Sequence, residues 1–145
     1  KLHLIGKLQT NKVKFCLPLF DYIHGLDNIK LAEKIANEQV KKNFKPKIFI
    51  QINIGDEDQK GGVKQNELQE FYRKIIKEFD LDIVGLMCIP PFVDDTSPFF
   101  IKMKVLSEKI KLKELSMGMS DDYIQAAKNS ATFIRVGSKI MGKRG

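Results

Sequence analysis

Short apolar runs rich in β-branched side chains recur along this chain at intervals of roughly 25 residues, and stretches with helical apolar spacing fill the gaps between them. That alternation narrows the fold more than any feature of composition. Strands are expected at Leu2 to Gly6, Ile23 to Asp27, Lys47 to Gly55, Asp82 to Ile89, Leu115 to Met119 and Phe133 to Ser138. Helices are expected over Asn11 to Tyr22, from a cap at Asp27 or Asn28 to Asn43, and over Asn66 to Phe79, Pro98 to Lys111 and Asp121 to Asn129. Pro18 either kinks the first helix or bounds it. Near-continuous apolar strands alternating with helices predict a parallel sheet covered by helices, which both open sheets and barrels satisfy.

The short repeat favours the barrel. Eight such units usually take about 200 residues or more, so 145 residues are two units short. The expectation is an α/β fold, a (β/α)8 TIM-type barrel that is incomplete, with about six strands in one domain spanning residues 1–145. The chain also opens directly in a strand-like run with no starting methionine, which predicts a longer parent.

A formal charge of +7 raises nucleic acid as a partner. The lysines are spread over helix-like segments and interleaved with Glu33, Glu38, Glu108 and Glu114, however, which reads as solvated helix faces and no nucleic-acid site. No apolar run approaches the ~20 residues of a membrane helix, so no membrane association is expected. Cys16 and Cys88 lie far apart in apolar contexts without metal-ligand spacing, which predicts free thiols, no metal and a cytoplasmic protein.

Chemistry concentrates at the ends of the last two strands. In Arg135-Val136-Gly137-Ser138 the strand period sends Arg135 and Gly137 to one face. If Val136 faces the helices, Arg135 points into the barrel, where a donor-only guanidinium needs a ring nitrogen, a carboxylate or a phosphate. Gly137 and Ser138 would let backbone N–H groups approach a phosphate closely. One strand earlier, Ser116 and Gly118 would share the interior face, while Met117 and Met119 are read as packing. His3 and His24 read as satisfied strand histidines, with no neighbouring carboxylate and nucleophile, and Tyr22, Tyr72 and Tyr123 fall in helical patterns.

The runs His3 to Lys12, Gln51-Ile52-Asn53, Lys60-Gly61-Gly62, Gly85-Leu86-Met87, Leu115 to Ser120 and Arg135 to Gly142 together resemble successive blocks of the pyridoxal phosphate homeostasis proteins, single-domain relatives of the barrel half of alanine racemase. The resemblance covers essentially the whole chain. It implies a barrel of the alanine racemase N-terminal class that binds pyridoxal 5'-phosphate and serves intracellular homeostasis of that cofactor, without established turnover. Carried over, Arg135 would meet the pyridine nitrogen, Ser116, Gly137 and Ser138 would hold the phosphate, and Asn53 and Met87 would line the pocket. Ser138 stands where many members have threonine, which keeps the hydroxyl.

The family's Schiff-base lysine lies on the first barrel strand, upstream of the block containing His3, so the resemblance implies that this chain lacks it. No other lysine takes its place: Lys7 and Lys12 belong to the downstream block, and Lys60 to a loop. A full-length member is expected to be monomeric, whereas this chain is expected either to oligomerise through two open sheet edges or to be marginally stable. Two alternatives compete. A racemase-like enzyme on the same cofactor would need a second-domain tyrosine that does not follow Gly145, so the chain is read as no enzyme. Asp56 to Glu67 partly matches a calcium loop, but Lys60 occupies a ligand position and a strand precedes it.

Overall fold

The computed structural model describes residues 1–145. Six strands form one sheet: β1 (His3–Leu4), β2 (Tyr22–Leu26), β3 (Lys47–Ile52), β4 (Asp82–Cys88), β5 (Glu114–Met119) and β6 (Phe133–Arg135). Their spatial order is their chain order and every pairing is parallel. The connections carry helices α1 (Val13–Cys16), α2 (Ile29–Lys42), α3 (Leu68–Glu78), α4 (Ser97–Lys109) and α5 (Tyr123–Lys128), and α6 (Ser138–Met141) follows the last strand. This is the six-stranded, incomplete barrel that the alternation predicted.

The sheet is strongly curled. His24 on β2 and Ser116 on β5 are three strands apart, a separation of ~14 Å in a flat sheet. Their side chains nonetheless meet at 2.8 Å. His3 on β1 and Phe133 on β6 stand at opposite edges, yet their ring centroids are 5.8 Å apart. The two open edges therefore face one another across a narrow gap. Register shifts in β2 between Ile23 and Leu26, in β3 between Ile48 and Phe49, and in β5 between Ser116 and Met119 add local bending.

Alternation sorts the side chains. On the outer face Ile23, Ile48, Ile50, Ile52, Leu86 and Leu115 are buried against helices, which contribute Leu31 and Ile35, Leu68 and Ile75, and Phe100 and Met103. Helix α2 shows how local sequence fixes an element. Asn28 accepts a hydrogen bond from the Leu31 N–H at 2.8 Å, and Asn43 ends the helix in the left-handed region at φ 47°. No helix is long and apolar enough to cross a membrane.

Three details differ from the sequence-based expectation. The first helix stops at Cys16 instead of reaching Tyr22, because Pro18 disfavours helical backbone at Leu17, which is extended at φ −88° and ψ 128°. Tyr22 consequently begins β2 and belongs to no helix. The last strand ends at Arg135, and Ser138 begins α6.

Candidate functional site

The inner face of the sheet is aromatic and polar where the outer face is aliphatic. His24 stacks on Phe49 with centroids 4.4 Å apart, His3 stacks on Tyr22 at 4.2 Å, and Phe133 sets its edge against Phe49 at 5.3 Å. Through this aromatic lining runs a chain of hydrogen bonds. Arg135 donates from Nη1 to Ser116 Oγ at 2.7 Å and from Nη2 to the Cys88 carbonyl at 2.8 Å. Ser116 Oγ meets His24 Nδ1 at 2.8 Å, and His24 Nε2 meets His3 Nδ1 at 3.0 Å. Five strands thus contribute to the guanidinium and its supports, and a planar fork held at two nitrogens has little freedom left.

Burial sets the charge states along this chain. His24 is pushed down to about 4, first by burial and then by the nearby His3 and Arg135, so it is neutral at neutral pH. Burial, followed by the Lys1 amino group, also lowers His3, which Asp21 partly offsets. The Arg135 guanidinium is lowered by burial, against the opposing pull of Cys88 and Asp122. Burial drives the Cys88 thiol up to about 12, which keeps it protonated and unreactive.

Above Arg135 a cavity of about 660 Å³ opens between β1 and β6, lined among others by His3, His24, Arg135, Ser120, Gly137 and Ser138. Its rim is pre-formed: Ser120 Oγ accepts from the Gly137 N–H at 3.2 Å and the Lys139 N–H at 3.1 Å. Gly118, at φ 97°, makes the close turn beneath it, since a Cβ there would sit 2.5 Å from that of Ala126. At Gly137 an added Cβ would meet nothing within 4 Å, so the backbone is open to the cavity. The exposed Asp121 also lines the rim, and no lysine side chain does.

The six residues singled out from sequence separate into three places. Arg135, Gly137 and Ser138 line the cavity. Ser116 lies wholly buried beneath it, its hydroxyl taken by Arg135 and His24. Asn53 and Met87 are not brought to it. The Asn53 amide is used within its own loop, donating to the Glu57 carbonyl at 2.8 Å and accepting from the Glu57 N–H at 3.1 Å. Met87 is fully buried beside Ser116 in register.

Sequence reasoning missed three residues here. His3 and His24 share an inward face by strand period, but the hydroxyl that His24 meets is 92 residues away, so no local pattern joins them. The contact is no hydrolytic triad: Ser116 is inaccessible and already receives a guanidinium. Ser120, the second serine of the Leu115 to Ser120 block, was legible as a strand-end hydroxyl. Met119, read as packing, is 41% exposed and lines the cavity instead. In the Asp56 to Glu67 loop Glu57 pairs with Lys60 at 2.9 Å, and the acidic side chains are not gathered as metal ligands.

A family model described as alanine racemase, N-terminal domain, matches residues 2–145. The chain is 36% identical, over 98% of its own length and 66% of the relative's, to a protein of Aquifex aeolicus named pyridoxal phosphate homeostasis protein. A protein of the same name from Pasteurella multocida is 39% identical over 98% of this chain and 65% of its own length. The chain thus spans just under two thirds of either relative. Among solved structures, PipY of Synechococcus elongatus with PLP bound superposes with a TM-score of 0.89 at 31% identity, covering 97% of this chain and 69% of PipY.

Proposed function

Because the chain belongs to the alanine racemase N-terminal domain family, we propose that it binds pyridoxal 5'-phosphate and serves as a carrier in the cell's handling of that cofactor. The observation that carries this reading is the Arg135 guanidinium, fixed by Ser116 and the Cys88 carbonyl at a cavity whose other side is the open backbone of Gly137 and Ser138.

The residues present fit the group. A volume of about 660 Å³ lies within the range of small-ligand pockets. A donor-only side chain lines the cavity for a ring nitrogen, and the Ser138 N–H with the hydroxyls of Ser120 and Ser138 would serve a phosphate, the Gly137 and Lys139 N–H groups being held by Ser120 Oγ. Ser116 acts one step back, holding Arg135 in place. When bound, the cofactor supplies an amine-reactive aldehyde and a pyridine ring that draws electrons when its nitrogen is protonated. Arg135 would keep that nitrogen unprotonated, which would weaken the electron sink and suit carriage better than racemisation. Retention here is non-covalent, since no lysine faces the cavity.

The test is a titration of the purified chain with pyridoxal 5'-phosphate, followed by borohydride reduction and intact mass. Saturable binding without a reduced adduct is expected, and Arg135→Ala should weaken it by roughly ten- to a hundredfold, the worth of a charged hydrogen bond. An Arg135→Ala protein that binds as tightly as the parent, or a single-site adduct on a lysine, overturns this reading. The unpaired outer edges of β1 and β6 support a further element of it, self-association of this chain in a cytoplasmic setting. Light scattering checks that, with a monodisperse monomer as the contrary result.

A further inference from the structure

The hydrogen-bond chain from His3 to Arg135 has a direction, and the direction follows from counting hydrogens. Arg135 offers only donors, so Ser116 Oγ must accept from Nη1 at 2.7 Å. The single hydroxyl hydrogen of Ser116 then needs an acceptor inside a fully buried site, and His24 Nδ1 at 2.8 Å is its partner. With Nδ1 bare, His24 carries its hydrogen on Nε2 and donates it to His3 Nδ1 at 3.0 Å. Every group is satisfied in this order, running from Arg135 outward to the half-buried His3.

A proton arriving on His3 Nδ1 reverses the order. His24 Nε2 must then accept, and a neutral His24 must carry its hydrogen on Nδ1. Ser116 would receive donors from both His24 and Arg135, and its own hydrogen would be stranded. We propose that His24 is a positioning residue that couples protonation at His3 to the hold of Arg135 on the ring end of the cofactor, so that the site releases its ligand as the surroundings acidify. The inference rests on the cofactor reading above and adds its control.

The neighbours of the two rings are few. His24 faces His3 on β1, Tyr22 on its own strand, Phe49 on β3, Ser116 on β5, and Phe133 and Arg135 on β6, so Arg135 is its one permanently charged neighbour. His3 faces Tyr22, which stacks on it, and Phe133 besides His24, and it feels the charges of the chain's first α-amino group and of Asp21. With no carboxylate against it, His24 resists a proton itself and transmits one arriving at His3 by switching tautomer. Burial holds both histidines below their ordinary values, which keeps His24 neutral and sets the switch at His3 below about pH 6.5.

Two measurements on the 145-residue chain test this. Nitrogen-15 NMR of the imidazoles at mildly alkaline pH should find His24 with hydrogen on Nε2 and none on Nδ1, and hydrogen on Nδ1 would overturn the assignment. The second compares affinities for pyridoxal 5'-phosphate and for phenyl phosphate, a ring ester without the nitrogen. His24→Phe keeps the stacking but offers Ser116 no acceptor. It should weaken the first ligand about tenfold and leave the second unchanged. His24→Asn, which can accept from Ser116 and donate to His3 in one fixed sense, should restore affinity and flatten its decline as pH falls below about 6.5, where His3 takes up its proton. Equal loss for both ligands, or none for either, rejects the positioning role. A parent chain that binds neither ester overturns the carrier reading instead, and the tautomer then decides the relay alone.

Discussion

The two faces of the sheet solve different problems with the same strands. Outward, Ile48, Ile50 and Ile52 of β3 meet helices through contacts that any well-fitting aliphatic side chain could make. Inward, Phe49 of the same strand stacks on His24, and the neighbouring strands set Ser116 and Arg135 in a chain where each donor has one acceptor. The outer face holds the fold by area removed from water, whereas the inner face spends burial on polar groups that are worthwhile only while every partner is present. Stability should therefore respond to volume on one side and to proton count on the other.

The sharpest test of that contrast is Phe100→Ala on α4, which empties a fully buried outer-face position. It should cost roughly 3–5 kcal/mol in denaturant unfolding at any pH between neutral and mildly acid. The inner face should respond to pH instead. His24 lies near 6.5 when unfolded and about 4 when folded, so the folded state binds fewer protons. Its contribution is complete above about pH 6.5 and is lost as pH falls towards 4, a loss of about 3 kcal/mol. A Phe100→Ala protein should keep this pH slope and a His24→Phe protein should lose it; a slope in His24→Phe equal to the parent's would break the comparison. The smallest effect belongs to Ser116→Ala, which strands one Arg135 donor and should cost about 1–3 kcal/mol. That loss should shrink on adding Arg135→Leu, because part of the cost is the unpaired guanidinium donor and the remainder is the His24 Nδ1 left without the Ser116 hydrogen.

The outer face was legible in the sequence because its rule is local. Period-two runs such as Lys47 to Ile52 and helical spacing such as Leu31, Ile35 report burial within a few residues, and they locate six strands and most helices. Errors fell where chain stereochemistry overrides pattern, at Leu17 before Pro18 and in the three-residue β6. The site was legible only in part. Arg135, Gly137 and Ser138 come together because they are neighbours in sequence at one strand end. The partnership of His24 with Ser116 depends on how far the sheet curls, which no window of residues encodes, and the engagement of the Asn53 amide by its own loop is likewise not written in the strand pattern.

Consecutive strand order has a consequence for how the molecule comes into being. Each strand pairs with the one synthesised just before it, so the sheet can grow one unit at a time, each addition closing a single helical crossover and no longer excursion. The contact between His24 and Ser116, 92 residues apart, must wait for β5 and for the sheet to roll up, and that between His3 and Phe133 across the gap must wait for the final strand. The inner wall is thus the last part of the chain to acquire its shape, and an unfinished or half-folded molecule presents no assembled cavity.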